Sequence, residues 1–357
     1  MTINPVLVKV LRGASLESRH RGIIAFCGSQ LNGHASLGDG DKPVFPRSAI
    51  KLLQALALVE SGAADAAGLS EAELALACAS HNGEEAHLAA ALSMLKKAGY
   101  DEDALECGAH WPRRDVDVAR LHVAGAQPGA LHNNCSGKHA GFLVLAHHLG
   151  LDPKGYVDVH HPVQAIIRDV LEEMMGVPHA VEACGIDGCS IPTYAVPLNA
   201  IAEAFAKVAD PDKLPAKRAE AARRLYKACV THPFMVAGTD RFCTDVMTLF
   251  KGRVLLKVGA EGVYAAAVPE LGLGVALKCD DGAVRAAEVM MAAVIDALLP
   301  MTLEERAGLS RYVRPVMKNW NGIEVGRLRA AEDFSSLLRT ALVTNGWETP
   351  IHMPSSL

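Results

Sequence analysis

Ser48 and Lys51 lie three residues apart in Pro46-Arg47-Ser48-Ala49-Ile50-Lys51-Leu52-Leu53-Gln54-Ala55-Leu56. The residues after Lys51 are rich in Leu and Ala, with no Gly or Pro before Gly62, so the spacing predicts a helix over 47–61. Pro46 and Arg47 place the serine in its first turn. Residues three apart share a helix face, which sets the Ser48 hydroxyl beside the Lys51 amine as a nucleophile beside its base.

Two further short motifs follow along the chain. Ser80-His81-Asn82-Gly83 falls where a short helix ends and a loop begins, so Ser80 and Asn82 can face one cleft. Lys257-Val258-Gly259 ends a predicted strand, where Gly259 lets a substrate approach the backbone and Lys257 supplies fixed positive charge. In order they read Ser-x-x-Lys, Ser-x-Asn, Lys-x-Gly, the motif order of serine β-lactamases and penicillin-binding proteins. The chemistry expected is acyl transfer: Ser48 attacks a carbonyl, Lys51 takes its proton, Ser80 relays protons to the leaving group with Lys257 polarising it, and Asn82 holds substrate. A lysine base must first be neutral, and burial or a second cation lowers a lysine pKa from about 10.4.

A second constellation joins His132-Asn133-Asn134-Cys135-Ser136-Gly137-Lys138-His139 to Cys184-Gly185-Ile186-Asp187-Gly188-Cys189. Two loop thiolates and one nitrogen would make a three-ligand zinc site with an open position. By spacing His132 and His139 are the obvious nitrogen donors, Lys138 is awkward because it must lose a proton, and unligated loop cysteines are the competing reading. His147-His148 and His160-His161 read as capping or solvated residues, and Cys184, Cys243 and Cys279 as structural.

The elements that must position these residues follow from the periodicity. Val6–Leu11 and Gly22–Cys27 read as paired strands, with a third near 33–37. Residues 71–79, 84–98, 137–149, 162–175, 198–208 and 215–230 carry helical spacing, and 254–258, 262–267 and 274–278 return to strands before a long helix over 283–299. The tail after Pro300 adds a helix near 302–308 and a remainder without clear pattern. The fold class expected is α/β of the α+β kind: one antiparallel sheet built from both termini with a large helical insert. Its 357 residues read as a single two-lobed domain, a sheet lobe of about 1–45 and 250–357 and a helical lobe of about 46–249.

The totals narrow the partners. A net charge of −5 with both signs interspersed offers no broad cationic surface, which speaks against nucleic acid and anionic membrane. No apolar run approaches the roughly 20 residues of a bilayer span. The N-terminal stretch lacks a leader pattern, and nine cysteines, an odd number, suggest no disulfide framework, so a cytoplasmic location is expected.

Across Glu17-Ser18-Arg19-His20-Arg21-Gly22, Pro46–Lys51, Ser80–Glu84, His132–His139, Asp187-Gly188-Cys189 and Lys257–Gly262, the sequence resembles the asparaginase II family, the class 3 or Rhizobium etli-type L-asparaginases. Asn-Asn-Cys-Ser-Gly-Lys-His is the most specific stretch. The resemblance implies a serine β-lactamase-like fold and hydrolysis of L-asparagine to L-aspartate and ammonia by two Ser-Lys tandems, Ser48 with Lys51 and Ser80 with Lys257. It also implies Zn2+ on Cys135, Lys138 and Cys189, which replaces histidine by lysine in the ligand set, and a homodimer. Arg47 and Asp187 adjoin these positions and join Asn82 and Gly259 as candidate substrate-binding residues. The alternatives are a glutaminase, a β-lactamase or D,D-peptidase of the same machinery, and a non-catalytic zinc-dependent amino-acid-binding protein. Zinc is expected to improve substrate affinity more than it enables attack, because the Ser-Lys groups already supply nucleophile and base.

Overall fold

The computed structural model describes residues 3–352. Met1 and Thr2, at the start of the stretch read for a leader, and residues 353–357, at the end of the tail, lie outside the described residues. The chain divides into two compact units: one takes the residues through Val44, Val196–Asp210 and those from Leu256 on, the other Phe45–Ala195 and Pro211–Leu255.

The first unit is built on an eight-stranded sheet. Its strands are β1 (Val6–Arg12), β2 (Ser15–Gly28), β3 (His34–Leu37), β4 (Leu255–Val258), β5 (Val263–Val268), β6 (Leu273–Cys279), β7 (Val316–Lys318) and β8 (Glu324–Ala330). The order is β7-β8-β1-β2-β6-β5-β4, with β3 paired to β2. Strands from both ends of the chain thus share one sheet, and the registered pairings are antiparallel, as the alternating and Gly-bounded runs predicted. The polar stretch before Gly22, expected as a connection, is instead the first half of β2. Its residues 15–21 pair with β1, while Gly22–Gly28 pairs with β6. Charged residues on that half hide it from an apolar pattern.

β5 is buried along its whole length and β6 nearly so, which requires cover on both faces. A Cβ on Gly274 would come within 2.1 Å of the Ala202 carbonyl and the Ala206 nitrogen, so the Leu198–Ala209 helix rides directly on that strand. Gly22, paired with Cys279 and therefore on the opposite face, meets Met290 of the Val284–Leu298 helix.

The second unit is helical and is centred on the Ser136–His148 helix, whose residues 136–146 are all buried. A helix apolar all round belongs in a core. Gly137 and Gly141 let it close on its neighbours, with hypothetical Cβ atoms 2.4 Å from Leu76 and 3.2 Å from Leu58 respectively. The single helix expected over 47–61 is three pieces: a 3-10 turn Arg47–Ile50, then Lys51–Gln54 and Leu56–Glu60, divided at Ala55. Among the described residues no helix is long and apolar enough to cross a membrane.

Candidate active site

Within the helical unit, Lys51 draws the expected residues together. Its backbone N–H bonds the Ser48 carbonyl, which closes the turn carrying both residues. The side chain is only 1% exposed. Its Nζ donates to the Ala79 carbonyl at 2.5 Å, Ser80 Oγ at 3.1 Å, Cys135 Sγ at 3.0 Å and the Asn134 carbonyl at 3.4 Å. The Ser48 hydroxyl makes no hydrogen bond among the described residues, so the amine is bonded to the second serine rather than to the one on its own turn.

Arg47 holds φ at +50°, a left-handed backbone that side chains rarely adopt. Its guanidinium is anchored, Nε and Nη2 reaching Asp187 Oδ1 at 2.7 and 2.6 Å. The Gly188 N–H donates to the same oxygen at 2.7 Å. Burial works to raise the Asp187 carboxyl, but Lys138 and then Arg47 hold it below the usual carboxylate range. The loop that follows is tight, with the Ser190 N–H on the Asp187 carbonyl and the Asp187 N–H on the Ile191 carbonyl, and it presents Cys189.

Cys135 is the N-cap of the Ser136–His148 helix, its N–H bonded to Asn133 Oδ1 at 2.9 Å. Lys138 lies on the first turn and donates to Cys189 Sγ at 3.0 Å. Cys189, then Lys51 and Lys138, hold the Cys135 thiol well below the usual thiol range against burial, while Cys135 and burial push Cys189 up. Burial works to lower Lys138, but Cys135 and Cys189 outweigh it and hold the amine above its ordinary value.

Cys135, Lys138 and Cys189 offer two sulfurs and one nitrogen, with Cys135 and Lys138 on one helix start and Lys138 reaching Cys189. In softness and number these donors fit a three-ligand zinc site. Of the histidines that spacing also allowed, His132 Nδ1 accepts from the Gly129 N–H at 3.0 Å, and His139 Nδ1 meets the Tyr156 hydroxyl at 2.7 Å while its Nε2 is buried without a partner among the described residues.

Asn82 is placed beside Ser80 with its amide already engaged. It donates to Glu84 Oε1 at 3.0 Å and the Thr239 carbonyl at 2.9 Å, and accepts from Arg241 at 2.9 Å. In this geometry it orders the loop. Arg241 also reaches the Ser80 carbonyl at 3.5 Å. Lys257 and Gly259 belong to the sheet unit, on and just after β4. Lys257 is 2% exposed and donates to the Val258 carbonyl at 2.9 Å, while the Gly259 N–H bonds the Val263 carbonyl at 2.7 Å. Motif reading passed over Asn133, Asn134 and Arg241 as separate groups. The two asparagines lay inside a stretch already singled out, whereas Arg241 carries no local signal.

The sheet unit holds a separate trio, His20, Cys279 and Asp281, with ligand-type atoms within 4.8 Å of one another. His20 Nδ1 lies 2.6 Å from Asp281 Oδ2, while Cys279 Sγ and the Ala283 N–H donate to Oδ1, each at 3.0 Å. Burial opposes ionisation of Asp281, but these bonds bring its carboxyl down to about 2. Asp281 is thus the hub of a hydrogen-bonded turn leading into the Val284–Leu298 helix, and the Arg285 guanidinium stands 3.4 Å from His20 Nε2, where a bound cation would be opposed.

The sequence profile of the family described as L-asparaginase II matches residues 8–330. No curated protein matches the chain. Among solved structures, a protein from Bacteroides dorei DSM 17855, provisionally named a beta-lactamase, is similar at 11% identity over 78% of this chain and 85% of that chain, with a TM-score of 0.36.

Proposed function

The chain belongs to the L-asparaginase II family, and from that membership we propose that it hydrolyses L-asparagine to L-aspartate and ammonia through serine and lysine side chains. The observation that supports this reading most is Lys51, whose buried Nζ bonds Ser80 Oγ at 3.1 Å from the turn that carries Ser48. Ser48 Oγ attacks the side-chain amide carbon and Lys51 accepts its proton. Ser80, bonded to the same amine, passes a proton to the departing nitrogen, so ammonia leaves and an acyl-enzyme remains. Water then releases L-aspartate by the reverse proton path. Lys257 is the fourth member of the set that the family resemblance implies.

Cys135, Lys138 and Cys189 would hold Zn2+, which would supply a Lewis-acidic, cationic point for a substrate polar group. Arg47 and Asp187 then serve substrate binding, the guanidinium fixing the carboxylate and the loop on which Cys189 stands. We extend the family's homodimeric state and a cytoplasmic location to this protein as part of the same reading.

Ammonia release from L-asparagine and L-glutamine, measured beside nitrocefin turnover, tests the substrate class. Ammonia from asparagine with no nitrocefin hydrolysis is the expected result, and the reverse pattern would assign a β-lactamase. Binding of asparagine without ammonia would assign an amino-acid-binding protein. Chelation is expected to raise KM for asparagine more than it lowers kcat; an unchanged KM with kcat abolished would move zinc from substrate binding to the attack itself.

A further inference from the structure

His81 is 2% exposed, and both of its ring nitrogens are committed. Nδ1 accepts from the Gly83 N–H at 3.1 Å, so the ring proton sits on Nε2, which lies 3.0 Å from Ser136 Oγ. The ring stacks on His87 at 4.8 Å and 11°, and His87 stacks in turn on Phe234 at 4.7 Å and 17°. His87 is fixed in the same way, with Nδ1 accepting from the Glu84 N–H at 3.2 Å and Nε2 donating to the Phe234 carbonyl at 2.9 Å. Burial, then His87 and Lys51, keep His81 well below the ordinary histidine range, in keeping with one neutral tautomer.

The placement of this bond gives it consequence. His81 follows Ser80, and Ser136 stands between Cys135 and Lys138 at the start of their helix. The His81 N–H also bonds the Asn134 carbonyl at 3.2 Å. Lys51 Nζ must reach Ser80 Oγ at 3.1 Å and Cys135 Sγ at 3.0 Å together, which is possible only while these two segments keep one spacing.

We propose that His81 is a positioning residue, the donor that ties the Ser80 loop to the helix start bearing Cys135 and Lys138 and so sets the spacing that Lys51 spans. Its effect on turnover rests on the amidohydrolase reading above; its effect on the two segments does not. His81→Ala and Ser136→Ala are each expected to lower kcat on the order of 10–100-fold, as a displacement of about 1 Å at a reacting group does, with KM changed far less. The double variant is expected to be no slower than either single one, because one bond is lost in each case. His81→Gln, whose amide can still donate toward Ser136, should recover most of the rate, and His81→Asn, which keeps only the acceptor for Gly83, should not.

Hydrogen exchange supplies the readout that needs no activity. Amides of residues 79–83 and 134–138 should exchange faster in both His81→Ala and Ser136→Ala and near the wild-type rate in His81→Gln. Additive losses in the double variant, or loosening of 79–83 with 134–138 unchanged, would overturn the proposal. If the wild type released no ammonia from asparagine the function would fall, and the exchange data would still decide the role of His81.

Discussion

Lys51 is where the residue-level chemistry converges, and its partners separate what the sequence made legible from what it did not. The spacing of Ser48 and Lys51 on one turn is a local fact and could be read directly. The bonds from Lys51 to Ser80 and Cys135 join positions far apart in the chain, and no periodicity encodes them. The same holds for the proposed zinc ligands: the Cys, His and Lys types were visible, but that Lys138 meets Cys189 is a contact between distant positions that no spacing encodes. A lysine that must shed its proton cannot be replaced by a permanently charged group. Lys51→Arg is therefore expected to lower kcat by about 10²–10⁴-fold, the range of a lost general base. Steady-state ammonia release measures this, and an arginine variant within threefold of wild type would remove Lys51 from the base role.

At the scale of elements, the helix Ser136–His148 carries Lys138 and is aligned by close approach to Glu71–Ala77. A Cβ on Gly137 would fall 2.4 Å from both the Leu76 Cγ and its carbonyl oxygen, too near for either to accept without a shift. Gly137→Ala is expected to cost roughly 1–3 kcal/mol by overpacking, although alanine is the better helix former, and to weaken metal retention by displacing Lys138. Thermal melts and metal content measure both effects, and an alanine variant of equal or higher Tm would show that the two helices can separate freely. Phe242–Phe250 and Phe334–Thr344 bury an apolar stripe yet were not among the expected helices, whereas Pro162–Met175 was legible from spacing. Asp115–Val123 was not, because Asp117 is its sole buried residue and no stripe forms. The strands β7 and β8 were hidden for a related reason: β7 is three residues long and mostly exposed, and in β8 Arg327 and Arg329 interrupt the apolar residues.

At the scale of the whole molecule, the termini-built sheet and the helical insert were legible because strand and helix periods change sharply near residue 45 and again near 253. The segment 196–210 joins the sheet unit through a helix seated on Gly274, a packing relation that composition alone does not carry. Charge burial predicts how the fold responds to acid. His87 and His179 are held below the ordinary histidine range chiefly by burial. The unfolded chain therefore binds their protons first, and their share of stability is present above about 6.5 and lost as the pH falls below it. Hydrogen bonds hold Glu73 and Glu84 low against burial, and Asp281 at about 2. Their share is present above roughly 4.5 and is lost as the pH falls toward the folded values. The urea midpoint should thus decline gently from pH 7 to 5 and steeply below 4.5, and a flat midpoint down to pH 5 would contradict the histidine share.

Ser48 is the proposed nucleophile of an amide hydrolysis for which Lys51 is the proposed base. The most direct measurement is ammonia release from L-asparagine by the wild-type protein and by Ser48→Ala, with folding checked by melting temperature and metal content. The expected result is a robust wild-type rate and a loss of about 10³-fold or more in a folded, metal-retaining Ser48→Ala protein. Turnover by that variant near the wild-type rate would contradict the account.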